Sequence, residues 1–187
     1  MRDDAQLINE TLAGCTEAFG QMVSKHQDRL FNTLVHIAGS HEEAEDVSQE
    51  AFVQAFVKLD TFAGKSAFYT WLYRIAFNIL ASRRRRKRPE ISLDVGRGFS
   101  GDEPMDRTEP AATAVERAER ADQLHAALAE LSAEHRSILV LREMEGCDYE
   151  TISDVLDLPV GTVRSRLHRA RSQLRERLRH VLQQQSS

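Results

Sequence analysis

"YETISDVLDLPVGTVRSRLHRARSQLRERL" occupies Tyr149 to Leu178, and its reading decides the architecture. Two helical segments, about Tyr149 to Leu156 and Val160 to His180, flank the break "DLPVG", whose proline is tolerated in a first turn but not inside a helix. Taken at about 100° per residue, Val163, Leu167, Ala170, Leu174 and Leu178 fall in one narrow stripe that must face a core. Arg164, Ser165, His168, Arg169 and Ser172 point the other way. Two short helices around a tight turn predict a helix-turn-helix, whose second member fits a major groove about 12 Å wide. The outward side chains suit that groove: arginine bonds guanine in bidentate fashion, and serine donates or accepts. Gly161 and Thr162 are small enough to let phosphate approach the helix start. A solvated basic helix would account for the charge but not for the compact helix and turn before it.

Charge along the chain agrees. Arg83 to Arg88, with Lys87 among them, carry +6, and residues 162–187 carry another +6, which leaves −16 on the rest of a chain of net charge −4. Two basic stretches on an acidic body predict contact with a polyanion at two places and a different partner surface between them.

Working outward, helical periodicity covers nearly the whole chain. The spacing predicts a short helix from about Asp4 to Ala13, and a second from near Thr16 to the stop at Gly39. Ser40 with Glu43 forms a capping box for a third helix, through about Leu59. Ser66 is the expected cap of a fourth, which buries Phe68, Leu72, Ile75, Ala76 and Ile79 and cannot pass Pro89. From there to about Ala112 three of the four prolines and three glycines fall among acidic residues, the texture of a flexible linker. Thr113 with Glu116 is a second capping box, and Ser132 caps a further helix that ends near Gly146. The expected fold is all-α, in two small helical domains: residues 1–88, a linker 89–112, and residues 113–187.

The Tyr149–Leu178 segment resembles region 4 of bacterial sigma factors of the extracytoplasmic-function (ECF) group, in which P-V-G-T-V-R-S-R-L opens the recognition helix. "AEDVSQEAFVQAFVKLDTF" (Ala44 to Phe62) and "FAGKSAFYTWLYRIAFNILASRRRRKRPE" (Phe62 to Glu90) resemble region 2 of the same family. The resemblance implies a dissociable initiation subunit of RNA polymerase, held by an anti-sigma factor until a signal releases it. On the family pattern Thr162, Arg164, Ser165, His168 and Arg169 face the minus-thirty-five element of promoter DNA, with Arg142 on its backbone. Phe62, Lys65, Ser66, Tyr69, Trp71 and Asn78 fall in the part that reads and melts the minus-ten element, followed by Arg83 and Arg84 as strand neutralisers; unpaired bases call for stacking surfaces and cations. Asp46, Gln49, Glu50 and Phe52 correspond to the surface that docks on the clamp helices of the largest subunit of core RNA polymerase, whose flap is the other implied polymerase contact. The chain departs from the family's F-R-G-x-S at Ala63, where Lys65 is the nearest cation.

Composition restricts the alternatives. With 41% hydrophobic residues the chain can bury a core, yet no stretch approaches the roughly 20 apolar residues of a membrane span, and no signal region opens it, so the expected compartment is the cytoplasm. Cys15 and Cys147 predict reduced, packed thiols. No phosphate-cradling glycine loop or metal-ligand spacing is present, so neither an enzyme nor a cofactor is expected. The acidic cluster around His41 to Asp46 lies at a helix start, where the helix dipole explains it without a metal. A self-sufficient regulator with a receiver domain would need an α/β first half, and a purely protein-binding adaptor would leave both arginine clusters unexplained.

Overall fold

The computed structural model describes residues 3–87, 120, 121 and 123–184. The expected linker, the capping box at Thr113 and Glu116, and Arg88 lie outside the described residues. Helices follow one another as α1 (Asp4–Leu12), α2 (Thr16–Ala38), α3 (His41–Val57), a 3₁₀ turn (Leu59–Thr61), α4 (Phe68–Lys87), α5 (123–129), α6 (Ala133–Leu139), α7 (Tyr149–Leu156) and α8 (Val160–Gln184). A π-helical turn, Val140–Met144, continues α6. Among the described residues the fold is all-α, as the periodicity predicts.

Local chemistry sets the boundaries. Gly39 ends α2 at φ 101°, a left-handed conformation that costs an L side chain more than it costs glycine. Ser40, Ser132 and Asp148 each accept a hydrogen bond from the backbone N–H three residues on, at 3.1, 3.3 and 2.7 Å, which satisfies donors that the helix leaves open. Three expected boundaries shift. Helix α8 runs on to Gln184 rather than ending near His180. The third helix stops at Val57, and Leu59 is buried by the 3₁₀ turn instead. The fourth starts at Phe68, with Ala67 accepting its first helical bond from the N–H of Trp71, so Ser66 stands one residue too early to cap it.

The N-terminal bundle buries Leu7, Met22, Leu30, Leu34, Ile37, Leu72, Tyr73 and Leu80. Asp4 ties α1 to α2 through Lys25 at 2.7 Å and His26 at 3.1 Å. In the C-terminal part, Ile138, Leu141, Ile152 and Val155 close over the Val163, Leu167, Ala170 stripe of α8. A fully buried leucine stabilises by about 1.5–3 kcal/mol, so this stripe fixes the rotation of α8 about its axis. Both cysteines are free thiols packed at the edge of the core.

The two parts are not held apart. Their apolar residues join in one continuous buried cluster, with α2 against α6 and the π-helical turn, and α4 against α7. Polar contacts seal the seam. Glu145 accepts from Thr33 Oγ1 at 2.5 Å and from Arg29 Nε at 2.9 Å, and its side chain is only 11% exposed. Thr33 also meets the Tyr73 hydroxyl at 2.8 Å. Arg84 from one part and Arg136 from the other both donate to the carbonyl of Ile37, at 2.7 and 3.4 Å, where the C-terminal end of α2 concentrates negative potential. Rings of His36 and His125 meet across the same seam, with nitrogens 2.8 Å apart. Beside it lies a cleft of about 610 Å³ between α4 and the α6–α8 unit.

Candidate nucleic-acid interface

The outward face of α8 follows from its buried stripe. Val163, Leu167 and Ala170 are sealed, so Arg164, Ser165, His168 and Arg169 emerge exposed on the opposite side, with Thr162 half-buried at the helix start. The turn before it is held by Asp157 at φ 53° and by a hydrogen bond from Ser153 to the carbonyl of Leu158. Aspartate tolerates that left-handed conformation better than most side chains. Pro159 supplies the carbonyl that receives the N–H groups of Thr162 and Val163, and its own missing N–H costs nothing there.

The arginines of α8 divide by face. Arg166 pairs with Glu134 at 3.0 Å, Arg171 with Glu143 at 2.6 Å and Arg177 with Glu130 at 3.1 Å. These three hold the helix to its own domain, so the formal +6 of the segment overstates the charge free to meet phosphate. Arg164 and Arg169 lie on the exposed face. Arg142 is half-buried on the π-helical turn and donates to the carbonyl of Cys147 at 2.7 Å. Both Arg142 and Arg164 approach the ring of Tyr149, a residue that the helical-wheel reading does not select because it lies on a different helix from α8.

The second group divides in the same way. Lys65, Ser66 and Asn78 are exposed. Phe62 and Trp71 are half-buried, their rings 5.3 Å apart and both within 6 Å of Phe68. Tyr69 departs from its expected place: it is 8% exposed, its ring meets both the His26 ring and the Arg29 guanidinium, and its hydroxyl donates to that of Tyr73. Burial raises the pKa of both phenols above the ordinary range, so both stay protonated and hydrogen-bonded. Arg84 is likewise turned inward, onto Ile37, and burial lowers its pKa. Phe52 is 7% exposed and belongs to the bundle core, because its position on α3 faces α2 and α4 rather than solvent. Asp46 and Gln49 remain exposed and Glu50 half-buried, with Arg83 bridging Asp46 at 3.4 Å and Glu50 at 2.8 Å.

No group of three or more metal-ligating side chains occurs among the described residues, and no described helix is long and apolar enough to cross a membrane.

Comparison with known proteins gives this geometry a family. A model described as Sigma-70 region 2 matches residues 22–90, and one described as Sigma-70, region 4 matches residues 121–174. RNA polymerase sigma-H factor of Pseudomonas aeruginosa is 38% identical over 186 residues, covering 97% of this chain and 96% of that protein. ECF RNA polymerase sigma factor SigW of Bacillus subtilis is 32% identical over 181 residues, covering 93% and 96%. Among solved structures, the sigma factor RpoE in complex with the anti-sigma factor NepR from Bartonella quintana aligns with a TM-score of 0.69 at 25% identity, over 86% of this chain and 96% of that one. CnrH in complex with the cytosolic domain of CnrY aligns at 0.65 and 26%, over 95% and 97%. With both halves of the chain matched in order, and relatives aligned across nearly its full length, the chain belongs to the ECF group of sigma-70 family RNA polymerase sigma factors.

Proposed function

We propose that the chain is a dissociable initiation subunit that joins core RNA polymerase, reads a minus-thirty-five element with α8 and a minus-ten element with the α1–α4 bundle, and holds the melted strand there. The observation that carries this reading is the division of α8: a sealed Val163, Leu167, Ala170 stripe on one side, and Arg164, Ser165, His168 and Arg169 exposed on the other. Residues 1–88 then act as region 2, 89–112 as the tether and 113–187 as region 4. Asp46, Gln49 and Glu50 offer the docking face for the polymerase clamp helices, and the exposed Lys65, Ser66 and Asn78, with Phe62 and Trp71, offer the strand-holding surface. Region 4 meets the polymerase flap. No catalytic, cofactor or metal role is assigned to any residue: the chain lends sequence preference to an enzyme, in the cytoplasm where that enzyme works. By likeness to the complex with NepR, an anti-sigma factor holds the chain until a signal frees it.

Dimensions add a step. The two promoter elements are separated by about 25 base pairs, or about 85 Å of duplex. A compact chain of 187 residues is only about 40 Å across. The closed arrangement therefore cannot touch both elements at once. Two modules of about 30 Å each, with a tether of the length of 89–112 between them, reach that far. Opening would also break the Glu145 contacts to Arg29 and Thr33 and uncover the surroundings of Tyr69 and Arg84, the two expected strand contacts that the closed form turns inward.

Run-off transcription with purified core polymerase on a promoter library, with and without the chain, tests the proposal. Selective initiation from a subset of promoters is the expected outcome. A chain that binds DNA and regulates without joining the polymerase would overturn it.

A further inference from the structure

Tyr149 carries two guanidinium groups on one ring. Arg142 Cζ lies 5.0 Å from the ring centroid and Arg164 Cζ 5.6 Å, both inside the roughly 6 Å within which an aromatic quadrupole attracts a cation. The three residues come from three elements: Arg142 from the π-helical turn, Tyr149 from the start of α7 and Arg164 from the first turns of α8. Packing against the core fixes the ring, and the Asp148 cap fixes the helix end that bears it. Arg142 is anchored a second time, by its hydrogen bond to the Cys147 carbonyl. Two like charges drawn toward one point repel each other, so their convergence needs a compensating surface. The ring supplies one, which an aliphatic side chain of the same size does not.

We infer that Tyr149 is a positioning residue for DNA recognition, its ring holding Arg142 and Arg164 in place before the duplex arrives. Both side chains otherwise lose rotamer freedom on binding, and orienting them in advance removes part of that cost. The inference rests on the proposed contact of these two arginines with the minus-thirty-five element. It adds a requirement that neither arginine reveals alone: the two act as a pair through a third side chain.

The test uses holoenzyme assembled from core polymerase and the full chain, with labelled promoter duplexes carrying an intact or a scrambled minus-thirty-five element. Tyr149→Leu is expected to weaken binding to the intact promoter by about five- to thirtyfold, the range for two cation–π contacts, and to change binding to the scrambled one little. Tyr149→Phe should stay within about twofold of wild type, because the ring remains, and a ring-fluorinated phenylalanine at 149 should fall between them. Tyr149→Leu combined with Arg142→Ala should lose less than the two singles added together. A Phe variant as weak as the Leu variant would assign the effect to the hydroxyl and overturn the platform. Wild-type affinity for the fluorinated ring would overturn it too, with the arginine assignment intact so long as Arg142→Ala and Arg164→Ala still weaken binding. If those arginine variants bind like wild type, the minus-thirty-five assignment itself falls, and the platform with it. Fluorination preserves ring shape, so the outcome does not depend on whether the Leu variant folds well.

Discussion

Helices α4 and α8 each carry a dense set of arginines, and they use them in different ways. On α4, Arg83 bridges Asp46 and Glu50 of the neighbouring helix, while Arg84 is driven into the seam against the Ile37 carbonyl. On α8, Arg166, Arg171 and Arg177 face acids of their own domain, yet Arg164 and Arg169 are left on the open side. Arginine thus serves as structural glue in both helices, but α8 also keeps an exposed pair on the face opposite its buried stripe. What separates the two outcomes is the packing partner. The α4 helix has protein on several sides, whereas α8 is gripped along one stripe.

That contrast breaks most severely if the grip on α8 is loosened. Leu167→Ala removes a side chain that is 1% exposed and should cost about 2–5 kcal/mol of stability in denaturant melts, with loss of promoter selectivity as α8 loses its fixed rotation. Next, Glu145→Gln weakens the charged acceptor shared by Arg29 and Thr33. A loss of about 1.5–3 kcal/mol is expected, together with a larger radius of gyration in solution scattering, and an unchanged radius would mean the apolar seam alone keeps the parts closed. Arg84→Ala and Arg169→Ala sharpen the comparison as a pair. The first should cost about 1–3 kcal/mol of stability, and the second should leave stability within about 0.5 kcal/mol but weaken minus-thirty-five binding by about 1–3 kcal/mol, read from melts and holoenzyme affinity. The smallest effect concerns α1. Burial opposes ionisation of Asp4, but hydrogen bonds from Lys25 and His26 outweigh it and lower its pKa. A carboxylate held below its ordinary 3.8 stabilises the fold above that value, and the contribution disappears as pH falls through its folded pKa. Asp4→Asn should therefore melt lower than wild type near neutral pH, with the gap closing in acid.

Much of this architecture is legible in the sequence because it is written in local periodicity. The apolar stripe of α8 gives its buried and open faces, and Ser40, Ser132 and Gly39 mark helix ends through chemistry confined to one turn. Closure is not legible. Thr33 and Glu145 stand 112 residues apart, and Arg136 meets the Ile37 carbonyl across 99, so neither contact leaves a repeating pattern. For the same reason Tyr69 and Arg84 read as strand contacts from their neighbourhood, although long-range packing buries Tyr69 and turns the half-buried Arg84 onto the Ile37 carbonyl. Phe52 differs: it sits among the acidic residues of α3, but its side chain is buried in the bundle. Tyr149 lies off the recognition helix altogether, so a helical wheel drawn on α8 has no place for it.

The π-helical turn bears both Arg142, on the side of Tyr149, and the approach to Glu145, on the seam. If Arg142 meets duplex as proposed, contact with duplex and separation of the halves are joined through one widened loop of backbone. By thermodynamic reciprocity, whatever factor separation adds to duplex affinity, duplex must add to separation. A promoter fragment presented to the free chain would then act as a wedge as well as a target.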